Sequence, residues 1–276
     1  MKVVVTGASG FLGDAVVKAL RNFDTEVIPV SRSDNMSCYR VSAYHEAPRA
    51  DILIHLAEDS DRQRVNKSGK LYERAILNTL DALIRKRYNR IVYASSGILY
   101  GDRNPKPHKT GDVVHITDTY TSVKRRSEIA ILENGDHVVA RLANIYGPRM
   151  AEGNVLSTIL NQIPNSAPLT VRDGTPIRDF LWIEDAAAGL ARMALGKAHG
   201  VFNLGCGEGI SIAELARLTL QICGQDHREF KANSVSGRSS CIVLDINETK
   251  NVWGWRPTTH LRQGLQRLIA LTQGQL

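Results

Sequence analysis

The sequence predicts an α/β protein, a doubly wound parallel sheet with a smaller C-terminal lobe. Three observations predict it. A short apolar run at the N-terminus passes through a glycine-rich turn into an amphipathic stretch, which reads as strand, tight turn and helix. Short apolar runs then alternate with helical patterns, the signature of a parallel sheet with crossover helices. Beyond residue 144 the alternation loosens, and Pro148, Pro164, Pro168 and Pro176 divide the chain into shorter pieces.

The first strand is expected at residues 2–6 and the first helix at 14–20, joined by Gly7-Ala-Ser-Gly10-Phe11-Leu12-Gly13. In this arrangement the first glycine permits the turn, the second lets backbone approach a diphosphate, and the third lets helix pack on strand. The diphosphate would rest on the helix N-terminus, where unpaired N–H groups favour negative charge. A second strand at 26–30 ends in Ser31-Arg32-Ser33 rather than in a ribose-binding acid. A guanidinium and two hydroxyls suit a 2′-phosphate, so NADP is favoured, while Asp34 leaves NAD open.

Buried strands follow at 51–57, 90–96, 137–143 and 200–204, with helices at 66–87 and 119–133 between them. Helices at 155–163 and 184–196 flank a short strand at 168–172. Ser211 with Glu214 three residues on marks a capped helix, and a last amphipathic helix starts near Leu261. Residues 1–144, joined again by 181–205, make a Rossmann-type dinucleotide-binding domain, and 145–180 with 206–276 make a smaller substrate-binding lobe. The cleft between them is the expected substrate site.

Length and composition agree. The chain has 276 residues with 43% apolar content, enough for one large core and a smaller appended one. With a ligand-binding motif opening at residue 7 and no long apolar run, neither a signal peptide nor a membrane span is expected. Cys38, Cys206, Cys223 and Cys241 show no metal or redox spacing and read as reduced, mostly buried thiols of a cytoplasmic protein. The net charge is +7, but the basic residues are scattered, so a phosphate-rich small molecule is expected and nucleic acid is not.

The chemistry is carried by Tyr120 and Lys124. On a helix, positions four apart lie on one face, so an ammonium sits beside a phenol. A phenol ionises near pH 10, and bringing it to neutrality takes about 4 kcal/mol at ~1.36 kcal/mol per pH unit. A neighbouring cation supplies much of that. Such a pair is a tyrosine acid or base.

Eight motifs in order then resemble the extended short-chain dehydrogenase/reductases that act on nucleotide-activated sugars. They are Thr6-Gly-Ala-Ser-Gly-Phe-Leu-Gly13, His55-Leu-Ala57, Ser95-Ser-Gly-Ile-Leu-Tyr-Gly101, Tyr120-x-x-x-Lys124, Arg141-Leu-Ala-Asn-Ile-Tyr-Gly-Pro148, Arg178-Asp-Phe180, Asn203-Leu-Gly-Cys-Gly-Glu-Gly209 and Trp253-Gly-Trp-Arg-Pro257. The resemblance implies that Ser96 hydrogen-bonds the reacting oxygen, Tyr120 moves its proton, and Lys124 holds the nicotinamide ribose and lowers the tyrosine pKa. It implies a dinucleotide on Gly7, Gly10, Phe11, Leu12 and Gly13, with Leu56 and Ala57 along its path. Asn144 and Arg178, with Arg238 as a second arginine, are implied to hold the nucleotide diphosphate, and a homodimer with a four-helix seam is implied by the helices at 66–87 and 119–133.

Two departures bear on the reaction. The family's 4,6-dehydratases carry an Asp-Glu pair after the catalytic Thr, where this chain has Gly97-Ile98, so dehydration is disfavoured. An Asn-x-x-Gly-Thr segment is not recognisable at 72–79, and His-Leu-Ala runs into Glu58-Asp59. Reduction of a 4-keto sugar is the first expectation, from Ser31-Arg32 and the compact length, and 4-epimerisation the second. A non-catalytic dinucleotide sensor is the reading from another class, and the complete Ser96, Tyr120 and Lys124 set argues against it.

Overall fold

The computed structural model describes residues 1–34, 37–234 and 239–272. Strands β1 (Lys2–Thr6), β2 (Glu26–Ser31), β3 (Tyr39–Arg40), β4 (Ile52–His55), β5 (Arg90–Ser96), β6 (Val138–Leu142) and β11 (Gly200–Leu204) form one seven-stranded sheet. Every pair in it is parallel, in the order β11-β6-β5-β4-β1-β2-β3. Helices α1 (Phe11–Leu20) and α5 (Ile183–Leu195) pack on one face, and α2 (Arg62–Ile84) and α3 (Thr119–Leu132) on the other. The sheet is therefore buried on both sides, which is why β1 reads as an unbroken apolar run rather than an alternating one.

The pleat sorts that run between two cores. Val3 and Val5 join Val16, Leu20, Ile54 and Leu190, whereas Val4 joins Leu53, Leu80, Leu83, Ile91 and Ile131. Each such side chain stabilises the fold by roughly 1.5–3 kcal/mol when fully buried. Strand β1 has β2 on one side and β4 on the other. Here the strand order reverses, and the crevice beyond the carboxyl ends of β1 and β4 is where open α/β sheets bind ligands.

The small lobe has its own core, with Tyr146, Leu156, Leu169, Phe180, Trp182, Leu215 and Leu265. It is built from β7 (Asn144–Tyr146), β8 (Leu169–Asp173), β9 (Ile177–Arg178), β10 (Phe180–Trp182), β12 (Ile210–Ser211), β13 (Phe230–Ser234) and β14 (Cys241–Ile242) with α4 (Val155–Leu160), α6 (Ile212–Ile222) and α8 (Leu261–Thr272). Ser211 and Glu214 make the reciprocal cap on α6 that their spacing predicts. Buried Asp179 accepts from the amides of Cys206, Gly207 and Leu244 at 2.8, 3.1 and 3.3 Å and ties three segments together.

The sequence placed everything after residue 205 in this lobe, and the structure divides it. Helix α7 (Asn247–Trp253) packs on β11, and Trp253 and Trp255 lie in the core of the large sheet. Trp255 Nε1 donates to the carbonyl of Asp185 at 3.1 Å, and the Asp185 carboxylate accepts from the amides of Thr258 and Thr259. Both indoles are buried there, Trp255 against Gly189 and Trp253 against Gly196 at the end of α5. Helix α2 begins at Arg62 rather than 66 because Asp61 caps it, and Gly69 at φ 58° breaks its regular path. Of the four thiols only Cys241 is buried; the other three are half-buried, and burial raises that of Cys206 to about 12. Among the described residues no helix is long and apolar enough to cross a membrane.

Candidate active site

The turn after β1 is built by contact distances that only glycine meets. Gly7 sits at φ +74°, where a Cβ would lie 2.9 Å from the carbonyl oxygen of Leu56. A Cβ on Gly13 would lie 2.1 Å from the Gly7 oxygen, so the helix could not seat on the turn. Gly10 is the N-cap of α1 and brings no side-chain acceptor, so no side-chain cap takes the first amides of the helix. Leu56 and Ala57 adjoin the turn at the end of β4, where the Leu56 amide donates to Thr6 at 3.3 Å.

At the end of β2 the expected ribose contacts divide. Ser31 is fully buried, 2.6 Å from Ser9 Oγ, and its Oγ accepts from the amide of Ser33 at 3.0 Å, so it shapes the turn from inside. Arg32 is exposed and stacks on Tyr44, 5.0 Å from the ring centre. It shares a pocket of about 390 Å³ with Arg40, Val41, Ser42 and Glu46. Arg40 also pairs with Asp34 at 3.5 Å. This second arginine is invisible to motif reading, since only the β2–β3 pairing brings it beside the first.

Ser96 ends β5, and its Oγ accepts from the amide of Ile98 at 3.4 Å over a single 3-10 turn, Gly97–Tyr100. A Cβ on Gly97 would meet Leu244 Cδ2 at 2.8 Å and the Leu142 carbonyl oxygen at 3.3 Å, so a larger residue here needs the Leu244 side chain to move. Helix α3 starts at Asp118, whose carboxylate accepts from the Thr121 amide while Thr121 Oγ1 receives the Asp118 amide, at 2.9 and 3.0 Å. This reciprocal cap fixes the first turn and with it Tyr120. Asn66 of α2 completes the support. Its Oδ1 accepts from the Tyr120 amide and its Nδ2 donates to Asp118, both at 2.9 Å. No sequence motif marked Asn66, because its partner is 54 residues away.

Tyr120 and Lys124 are 9% and 7% exposed, and Lys124 Nζ is 5.9 Å from the Tyr120 ring centre. The helical spacing has thus placed the ammonium beside the phenol. Lys124 Nζ also donates to Glu58 Oε2 and to the carbonyl of Ala94, each at 2.8 Å. Burial alone would push the ammonium down, but Glu58, then the oxygens of Tyr93 and Tyr120, hold it well above its ordinary range. Tyr93 donates to the same Glu58 oxygen at 2.9 Å, and burial raises its own phenol well above 10. His55, beneath them, shares a 2.8 Å hydrogen bond with Thr6 Oγ1, and burial lowers it to about 4. It is neutral at pH 7.

The proposed diphosphate residues lie on the lobe side. Asn144 Nδ2 donates to the Asp179 carbonyl at 3.0 Å. The guanidinium of Arg178 donates to Ser240 Oγ at 2.8 Å and to the carbonyls of Ile177 and Ser240 at 2.8 and 3.1 Å, and Ser240 Oγ donates to Asp102 at 2.7 Å. Arg238 lies outside the described residues.

The parallel sheet, the glycine cradle at its switch point and the buried Tyr120–Lys124 pair are those of a dinucleotide-dependent oxidoreductase fold. The chain belongs to the NAD dependent epimerase/dehydratase family, whose model matches residues 3–205. It is similar to UDP-glucuronic acid decarboxylase 4 of Arabidopsis thaliana, 29% identical with 98% of this chain and 68% of that protein covered. A putative UDP-glucose 4-epimerase of Methanocaldococcus jannaschii is 25% identical, with 97% of each chain covered. The fold superposes on the UDP-glucose 4-epimerase of Thermotoga maritima with a TM-score of 0.87 at 22% identity, covering 100% of this chain and 99% of that one.

Proposed function

We propose that this protein oxidises C4 of a nucleotide-diphosphate sugar and returns the same hydride, acting as a nucleotide-sugar 4-epimerase. The observation that carries the reading is the buried Tyr120–Lys124 pair. A bound nicotinamide dinucleotide supplies the hydride acceptor and donor. Tyr120 Oη takes the proton from the C4 hydroxyl as its hydride leaves, and gives it back on return. Lys124 favours the phenolate because its charge is fixed nearby in a site with little water. Ser96 Oγ donates to the same sugar oxygen and steadies its developing charge. Asn144 and Arg178 hold the diphosphate, so binding energy far from C4 orients the sugar.

The sequence put reduction of a 4-keto sugar first and 4-epimerisation second; similarity to a putative 4-epimerase and to a decarboxylase supports the reading with hydride return. Decarboxylation begins with the same C4 oxidation, since a uronic acid oxidised there becomes a β-keto acid. The second reading, reduction of a 4-keto sugar with NADPH, is favoured by the Arg32 and Arg40 pocket, which suits a 2′-phosphate and a dinucleotide that exchanges each turnover. Dehydration is the less favoured reading, because Gly97-Ile98 stands where the family's 4,6-dehydratases carry an Asp-Glu pair.

The test is a product assay at fixed total dinucleotide. A 4-epimerase interconverts UDP-glucose and UDP-galactose with no net change at about 340 nm; carbon dioxide from UDP-glucuronic acid would identify a decarboxylase, and one NADPH oxidised per 4-keto-6-deoxy sugar would establish the reductase. Dinucleotide binding with no turnover of any of these would bring the sensor reading forward.

A further inference from the structure

The mechanism above uses Tyr120, Lys124 and Ser96 but leaves a buried acid unexplained. Glu58 follows His55-Leu-Ala57 directly, and its side chain is 5% exposed. Its Oε2 accepts from Lys124 Nζ at 2.8 Å and from the Tyr93 hydroxyl at 2.9 Å. Its Oε1 has no hydrogen-bond partner among the described residues, and the neutral His55 ring stands 3.9 Å away.

A buried carboxylate is costly to desolvate unless a cation compensates it, and a buried ammonium is equally costly. Lys124 has three N–H donors. Two are engaged by Glu58 and the Ala94 carbonyl, so one remains to turn toward the phenol and a ligand. The groups that face the ammonium are Tyr120 on its own helix, Tyr93 on β5, Tyr72 on α2, His55 on β4 and Glu58. Of these Glu58 is the only carboxyl group, and the one that meets the ammonium at 2.8 Å. A lysine this deep would otherwise shed its proton and cease to act on the phenol.

We propose that Glu58 is a positioning residue for the Tyr120–Lys124 pair, the buried counter-ion that keeps the Lys124 ammonium charged and fixed beside the phenol. Glu58 acts through Lys124 and does not touch the sugar. The proposal deepens the reading of Tyr120 as the proton-transfer group. Its central test does not depend on that reading, because it needs neither dinucleotide nor sugar.

The experiment follows the Lys124 Cε resonance of lysine-labelled protein through an alkaline titration, assigned with Lys124→Arg. In the wild type the resonance should stay at its protonated position beyond the ordinary 10.5. In Glu58→Gln it should titrate at least about two pH units lower, as a buried lysine without a counter-ion does. Glu58→Asp, which keeps the charge, should restore the wild-type titration. Turnover of Glu58→Gln should be at least about tenfold down at pH 8, the deficit should grow as pH rises, and Asp should rescue it. Identical lysine titrations in the wild type and Glu58→Gln would overturn the proposal. So would a pH-independent loss of turnover that Asp does not rescue, which is what mere packing predicts. Should Glu58→Gln not fold, the wild-type titration decides: a Lys124 that loses its proton at or below the pH of the exposed lysines overturns the assignment.

Discussion

The amide of Tyr120 donates to Asn66 Oδ1 at 2.9 Å, joining the second residue of α3 to the first turns of α2. Asn66 binds Asp118 with its other end, so one side chain satisfies an orphan amide of the helix and its N-cap together. Asn66→Ala should cost about 1 kcal/mol of stability, the usual loss for a helix cap. Turnover should fall by roughly tenfold, because a phenol displaced by a fraction of an ångström loses its alignment. Denaturant unfolding and steady-state kinetics on the same preparation check both. Unchanged turnover with lost stability would leave Asn66 as a cap alone.

Tyr120→Phe removes one oxygen and little volume, so the fold should survive. Turnover should drop by about two to four orders of magnitude, with dinucleotide affinity within about twofold of the wild type. Full activity in this variant would remove Tyr120 from the mechanism.

Arg32→Ala should weaken NADPH more than NADH by roughly 1.5–3 kcal/mol, the loss expected for one charge-assisted contact to a 2′-phosphate. Arg40→Ala should act in the same direction, since both arginines line one pocket. Titration calorimetry with the two dinucleotides measures it. Equal losses for both would assign the pocket no part in cofactor choice and would favour NAD.

The burial of His55 makes stability depend on pH. Its folded value, about 4, lies below the ordinary 6.5, so between the two the unfolded chain binds a proton that the native protein does not. Stability therefore falls as pH drops through that window, and the contribution is complete near pH 4. It should amount to about 3 kcal/mol, at ~1.36 kcal/mol per pH unit. Chemical denaturation of the wild type and His55→Gln at pH 7 and 4.5 should show a shallower decline in the variant. Parallel declines would place the acid sensitivity elsewhere.

The outward surfaces of α2 and α3 expose Leu71 and Ile129, which are 82% and 38% accessible. Glu73 of α2 meets Ser122 and Arg126 of α3, so the two helices form one rigid face. A second copy of that face would give an isologous four-helix seam. Light scattering at micromolar concentration should report a dimer, and Leu71→Asp should shift it toward monomer. A wild-type monomer would remove the seam.

Local pattern alone determined the strand–turn–helix at residues 2–20, the helical register that stacks Lys124 on Tyr120, and the cap at Ser211. Each depends on residues within one or two turns of one another, where spacing dictates geometry. The approximate extent of most other elements was legible for the same reason. What pattern could not reach was decided by pairing across the sheet and by packing. The parallel pairing of β2 with β3 brought Arg40 to Arg32. The docking of α2 against α3 delivered Asn66 to Tyr120, and the carboxyl end of β4 delivered Glu58 to Lys124. Trp253 and Trp255 left the lobe to which their place in the sequence assigned them, because apolar rings settle where the larger core buries them. Ser31 turned inward to Ser9, as a buried hydroxyl must find a partner. Sequence thus pointed to Ser96, Tyr120 and Lys124 as the candidate groups, and tertiary structure alone decided which buried partners meet Tyr120 and Lys124, since desolvation and charge pairing act between residues that only folding brings together.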